Sequence, residues 1–594
     1  MDCIIHLSFY HHQVLYNTAM RRVLSMISIL ILVSLACQTL LPSATPTPLP
    51  SATPTASPTR TSAPTSTPLP SATPLPSPTI TATPLPSLAV PVAEEFTVRF
   101  HPDDALYVGD LVSLEIIPDQ GAQLSDAQLS VQVDSTEAVP IGATSFGAWG
   151  IAGREQATLM WTWDTSGLAA GEHTLYFTIQ PQALAWTETI TLLPQEALPV
   201  QYAQATWETV QTTCCEIHYI TNTAAERDIQ LLSSMIEEQA QQAAAEMGTA
   251  FDERVVITIL PRLLGHGGFT SNEISVSYLD RNYAANDWER VVHHEMVHVL
   301  DGRLGGDMRP TMLIEGLAVY ASGGHYKPEP LMQRAAALLD ESLNWYLPLR
   351  PLADDFYASQ HEIGYLQAGA LVEYLVQTYG WEAFSTFYRD IHAAPGGKQS
   401  DAIDEALQRH FSLSFTQMEQ NFLAALKAMP ASQDWVSDVR ITVTLFDTMR
   451  RYQELFDPSA YFRTAWLMDN DQMRQRGIIA DYLRHPHTPE NLALETMLVA
   501  AGEDLDAAPY PVATQLLDSV NAVLDRVEAG AEAPFEANRM AADYYAVVQV
   551  VLAAGYEPQK INFDGNEAVV QVAQGNQPLA SLLLDKTGAG WALK

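Results

Sequence analysis

Between residues 95 and 195, apolar and polar positions alternate in short runs: 96–100, 111–117, 129–133, 158–163, 173–179 and 187–193. A period of two places every second side chain on one face of an extended strand. Turn residues separate the runs, so the pattern predicts a β-sandwich over 94–198. The stretch gathers no catalytic residue types and reads as a spacer or adhesion module. From residue 204 the pattern changes. Residues 217–220 predict a short strand, 224–247 a long helix with few breakers, and 255–260 a buried strand. The turn Gly265-His266-Gly267-Gly268 leads into a further strand at 274–278. Helical periodicity dominates from Trp288 to about Ala428, Pro430 breaks it, and another helical region covers roughly 434–555. Two apolar runs near the end, 568–572 and 579–584, predict a small β-hairpin. The chain is expected to be multidomain: the sandwich, an α+β domain over 199–430, and a mainly α region over 431–594.

Inside the first helical stretch stands Val291-Val292-His293-His294-Glu295-Met296-Val297-His298. Asn286 or Asp287 offers the helix an N-cap. Four residues are just over one turn, so His294 and His298 project from one face and can bind one ion. Glu295 is rotated by about 100°. It can reach a water beside that ion without ligating, take its proton and pass it to a leaving amine. Seventeen positions past His298 comes Pro310-Thr311-Met312-Leu313-Ile314-Glu315-Gly316-Leu317-Ala318. A carboxylate among apolar neighbours is costly unless paired, and ligation explains Glu315. Proline is tolerated in a first helical turn. Gly316 and Ala318 are expected to let this helix pack closely beside the one carrying the histidines. Two His and one Glu leave a fourth coordination position open, the arrangement of a catalytic rather than a structural zinc site.

HExxH followed by Glu-Gly-Leu-Ala resembles the gluzincins, in particular the peptidase MA-like domain related to aminopeptidase N and thermolysin. The resemblance covers about 204–427. It includes the Glu216-Ile217-His218-Tyr219 strand with its following helix, and the stretch 365–375 ending in Tyr379-Gly380-Trp381. Asp404-Glu405-Ala406-Leu407, Leu413 and Met418-Glu419 are similar to the family's closing helices. The resemblance implies a zincin fold, a small mixed sheet over the metal helix with a helical lower half and a cleft between. It implies zinc held by His294, His298 and Glu315, Glu295 as base, and peptide-bond hydrolysis. Separately, Trp163-Asp164-Thr165-Ser166-Gly167-Leu168, with Gly171 and Leu175-Tyr176-Phe177, resembles the late hairpin of bacterial immunoglobulin-like domains.

The chain also departs from those relatives. Thermolysin-like enzymes carry an acid four residues after the Glu ligand, where Val319 stands here. A partner for a ligand histidine must come from elsewhere: Asp301 is one candidate, with a solvated helix-end acid as the alternative reading. A glycine-rich exopeptidase motif is not evident, which favours an endopeptidase. The oxyanion donor is expected to be Tyr365, on the helix that lies over the site in this family, with Tyr320 as rival. His293 and His266 are candidates for touching substrate, against the plainer reading of structural histidines. His485-Pro486-His487 reads as a solvated loop. The strand at 274–278 is expected to offer a sheet edge on which an extended peptide pairs.

Composition narrows the partners. The 594 residues carry a formal net charge of −38, which excludes nucleic acid, whose phosphates demand Lys and Arg. Arg21 and Arg22 precede an apolar run, 23–36, of signal-peptide length, and Met20 is a candidate natural start. Cys37 after Ser34-Leu35-Ala36 resembles a bacterial lipobox, so the segment 1–40 predicts either lipidation of Cys37 or a cut near Ala36 by signal peptidase. Residues 41–93, rich in Pro, Thr and Ser, read as an extended stalk. The expected location is extracellular, at the cell surface, with a membrane tether through Cys37. Of four cysteines, the adjacent pair Cys214 and Cys215 is not expected to make a structural crosslink. The expected function is a zinc-dependent metallopeptidase acting on a peptide or protein substrate. The rival is a zincin-fold binding or adhesion protein without turnover, which has no need of Glu295.

Overall fold

The computed structural model describes residues 96–594 except 120–123, 125, 285–286, 326 and 509. The expected signal segment, Cys37 and the stalk lie outside the described residues. Nine strands open the described chain: β1 (Phe96–His101), β2 (Leu106–Tyr107), β3 (Leu111–Pro118), β4 (Gln128–Val133), β5 (Gly142–Ser145), β6 (Gly147–Trp149), β7 (Arg154–Asp164), β8 (Gly171–Gln180) and β9 (Leu184–Leu193). They form two sheets, ordered β1-β3-β7-β6 and β2-β9-β8-β4-β5. Alternation along the strands gives each sheet one apolar face. Val112, Leu114 and Ile116 of β3 meet Val131 of β4 and Phe177 of β8 in a single core. The alternation predicted the long strands; β5 and β6, a glycine-containing pair of short segments, carry no such signal.

A third, mixed sheet contains β10 (Trp207–Gln211), β11 (Cys215–Ile220), β12 (Val255–Leu260), β13 (Gly268–Thr270) and β14 (Ile274–Ser277) in the order β10-β11-β12-β14-β13. β11, β12 and β14 run parallel, and the two outer strands antiparallel. Helix α1 (Ala224–Met247) supplies the β11–β12 crossover that a parallel pair requires. The edge is therefore not the strand at 274–278, as its sequence suggested. The three residues of β13 fold back antiparallel and cover it, so the free edge belongs to β13. Cys214 and Cys215 are joined by a disulfide, contrary to expectation, in the turn before β11. It bridges neighbours only and staples no distant parts of the chain.

Below this sheet lie α2 (Trp288–Leu304), α3 (Thr311–Ser322) and α4 (His361–Tyr379), sharing one large core with it. Helix α5 (Gln433–Phe456) leads into a mainly helical region with α6 (Pro489–Asp506), α7 (Tyr510–Glu528) and α8 (Arg539–Ala553). The chain ends in an antiparallel meander of four strands, not the expected hairpin: β15 (Glu557–Asp564), β16 (Glu567–Ala573), β17 (Ala580–Thr587) and β18 (Gly590–Leu593). Its outer strands were illegible because β15 opens on Glu557-Pro558 and β18 is four residues long. Between α5 and α6 the chain crosses back to the earlier sheets. Trp466 stacks on His101 of β1 at 3.9 Å and shares an apolar cluster with Trp161 of β7 and Leu260 of β12.

Candidate metal centre and cleft

Asp287 caps α2, its carboxylate accepting the Arg290 backbone N–H at 3.0 Å. One turn apart on this helix, His294 and His298 present Nε2 to the same point: each lies 3.4 Å from Glu315 Oε2 on α3. The three ligand atoms fall within 4.8 Å of one another. Glu315 is 6% exposed, and its second oxygen accepts the Tyr357 hydroxyl at 2.6 Å. The three groups are electrostatically coupled. Burial alone would raise the Glu315 carboxyl, yet the facing histidines hold it well below the usual range. Burial works against charge on His298 too, and Glu315 nonetheless lifts it to about 9. Burial pushes His294 down to about 3. Two imidazoles and one carboxylate converging on one point fit a zinc ion with an open fourth position. The Nδ1 atoms of both rings are buried without a hydrogen-bond partner among the described residues.

Glu295 is 2% exposed and lies beside this trio, facing the sheet. The Thr270 hydroxyl at the end of β13 donates to Glu295 Oε2 at 2.6 Å. Burial pushes the carboxyl up to about 7, against the opposing pull of His298 and Thr270. That is close to the pH at which a general base works best. β13 approaches α2 so closely that a Cβ on Gly268 would come within 2.7 Å of Val291 and 3.0 Å of Glu295 Oε1. Only glycine fits there.

The other sequence candidates divide. Tyr365 on α4 borders the site, its ring 6.4 Å from that of His294. Tyr320 is half-buried in the packing of α3 and does not line the cleft. His293 points to α1, where its nitrogens meet Gln239 Oε1 at 2.9 Å and Glu246 Oε2 at 3.1 Å, so it is structural. His266 does line the cleft. Asp301 is neither solvated nor bonded to His298: it is wholly buried and accepts from Arg309 Nη1 at 2.9 Å. Of the pair read as solvated, His487 is exposed, whereas His485 is half-buried and burial holds its pKa well below the usual value. Gly316 packs against α4 rather than α2: a Cβ there would meet the Ala368 carbonyl oxygen at 2.5 Å. Gly369 is its counterpart, a Cβ meeting Val319 at the same distance.

Sequence reasoning missed Tyr357, Thr270, His325, His361 and Phe462. The first four are single polar or aromatic residues in short segments or at the ends of elements, without a repeating signal. The cleft that Tyr357, Thr270 and Phe462 help to form has a volume of about 690 Å³ and also receives Ile151, from the loop after β6. Phe462, from the segment after α5, forms part of its wall. A cavity of that size suits a ligand of several residues.

No protein-family model and no curated protein matches this chain. Among solved structures, one described as an aminopeptidase N family protein from Idiomarina loihiensis is similar at 9% identity. The match covers 58% of this chain and 78% of that one with a TM-score of 0.27, a level that carries no argument here.

Proposed function

We propose that this chain is a zinc metallopeptidase of the gluzincin type, cutting extended peptide segments in the cleft beneath β13. The observation that supports it is the convergence of His294, His298 and Glu315 on one point, with the buried carboxylate of Glu295 beside it and a 690 Å³ cleft in front. A binding module needs no such base. Bound there, zinc supplies a Lewis acid that polarises a peptide carbonyl and acidifies water. The remaining work falls to the chain. Glu295 takes the proton of the attacking water and delivers it to the departing amide nitrogen. Thr270 holds Glu295 toward the cleft. The Tyr365 hydroxyl, with Tyr357 beside it, provides a donor for charge developing on the carbonyl oxygen. The free edge of β13 pairs with substrate main chain, with Phe269 and Phe462 forming apolar walls.

The N-terminal two-sheet layer serves, in this reading, as an immunoglobulin-like spacer. Cys37 tethers the protein by lipid to the outside of a bacterial membrane, through the stalk at 41–93. No helix among the described residues is long and apolar enough to cross a membrane. The deciding experiment assays the purified chain, zinc-loaded, against a broad peptide library with and without a chelator, beside Glu295→Gln. Cleavage that the chelator abolishes is expected, together with a loss of about 10²–10⁴-fold in Glu295→Gln at unchanged zinc content. A zinc-loaded wild type that cleaves nothing, or a Glu295→Gln variant as fast as wild type, refutes the mechanism.

A further inference from the structure

Directly beside the proposed zinc centre sits a second group of three histidines. His266 lies in the loop between β12 and β13, His325 just after α3, and His361 is the first residue of α4. Their ligand atoms also fall within 4.8 Å of one another. We propose that His266, His325 and His361 form a second metal site, taking zinc or another late first-row divalent cation.

Geometry carries this furthest. A zinc–nitrogen bond of about 2.0–2.1 Å puts an imidazole centroid about 3.2 Å from the ion, so tetrahedral angles separate two centroids by about 5.2 Å. The observed separations are 5.1 Å for His266–His361, 5.1 Å for His325–His361 and 5.7 Å for His266–His325. The tautomers are those a metal requires. Glu362 Oε1 lies 3.0 Å from His325 Nδ1 and 2.8 Å from His361 Nδ1. A carboxylate only accepts, so both Nδ1 atoms carry protons and both Nε2 lone pairs are free to ligate. His361 Nε2 is buried with no hydrogen-bond partner among the described residues, on a side chain 8% exposed. An all-imidazole set favours zinc, copper, nickel or cobalt over magnesium or calcium.

Charge and space agree. Glu362, 5% exposed, supplies a negative charge behind two of the rings. Arg450 of α5 faces the same group; its Nη1 donates to Gly265 O at 3.1 Å and Gln453 Oε1 at 2.8 Å, while its buried Nε and Nη2 have no partner among the described residues, so its charge is the one feature that opposes a cation here. Between the two trios lies a cavity of about 20 Å³ bounded by His266, His325, His294 and Glu295. That is room for one water between the sites. The loop is built to deliver His266: Gly265 and Gly267 on either side both adopt positive φ, at 64° and 111°.

The site stands independently of peptidase activity, and its test reads stoichiometry. The full chain, stripped by a chelator and dialysed, is titrated with zinc in a calorimeter and analysed for metal. Two equivalents are expected for wild type, one for His361→Ala, one for His294→Ala, and none for the double variant. Glu362→Gln, which preserves shape, is expected to weaken one equivalent by about 10–100-fold and spare the other. If wild type binds one equivalent that His294→Ala loses and His361→Ala keeps, the second site is refuted and the catalytic reading survives. The reverse pattern supports the second site and removes the first. Should His361→Ala fail to fold, anomalous diffraction at the zinc edge from wild-type crystals decides. A peak among the three histidines supports the site, and its absence at full loading of the other centre overturns it.

Discussion

Tyr357 and Glu315 share a hydrogen bond of 2.6 Å, in which the phenol donates to the carboxylate oxygen that faces away from the two histidines. That bond orients Glu315 and leaves Oε2 directed at the point where His294 and His298 converge. Tyr357→Phe removes the donor and keeps the ring. Zinc affinity at this centre is expected to fall about 10–100-fold, as for other partners of ligating carboxylates. Competition with a chromophoric chelator measures it. Unchanged affinity would show that packing alone orients Glu315.

Thr270 holds Glu295 by a single hydroxyl. Thr270→Val is nearly isosteric and deletes the bond, worth about 1.5–3 kcal/mol when the acceptor is charged. Turnover is expected to drop roughly 10–100-fold while zinc content stays constant, a smaller loss than in Glu295→Gln. Steady-state kinetics on a peptide found in the library screen supplies the comparison.

The reciprocal contact of Gly316 and Gly369 sets how closely α3 and α4 approach. In Gly316→Ala the new methyl meets backbone, which cannot swing aside, so the helices must separate. A destabilisation of about 1–3 kcal/mol is expected in urea unfolding. Zinc affinity should fall with it, because Glu315 is the preceding residue. A variant as stable as wild type would mean that the helices slide apart freely.

Glu115 lies in the first two-sheet layer, 1% exposed, between His101 Nε2 at 3.0 Å and Arg154 Nη2 at 2.9 Å. Burial tends to raise its carboxyl, but His101 and Arg154 together hold it below the ordinary value of 4.5. A folded-state value below the unfolded one gives stability that is complete above the unfolded value and lost as pH falls through the folded value. Stability, measured by unfolding followed through tryptophan fluorescence, should therefore fall on acidification below about pH 4.5. Glu115→Gln should lose part of that dependence, and should cost about 3–5 kcal/mol at neutral pH by breaking a buried pair. Identical acid profiles for the two chains would rule this account out.

Much of the architecture was legible because local periodicity and burial coincide. The alternating strands β3 and β8, helix α1 and the helix pair carrying His294, His298 and Glu315 each announce themselves by spacing. The cap of α2 was narrowed to Asn286 or Asp287, and the structure gives it to Asp287. The edge position of β13 was not legible, since three residues give no period and sheet order depends on non-local pairing. Nor was the role of Tyr357, His325 or His361, each a lone residue whose partner lies on another element. Gly316 was correctly read as a place of close approach, but the neighbouring helix was misassigned, because a glycine does not say which element comes near. The pairing of Arg309 with Asp301 hid in the same way.

Phe462 follows His294 by well over a hundred residues, yet it closes the same cleft, and the segment that carries it is anchored by Trp466 against His101 near the front of the described chain. Synthesis runs from the N-terminus, so the histidines and Glu315 leave the ribosome while one wall of their cleft is still untranslated. A nascent or truncated chain ending near residue 430 thus has the three ligands without the enclosure around them. Completion of the cleft is deferred until the late segment has emerged and docked.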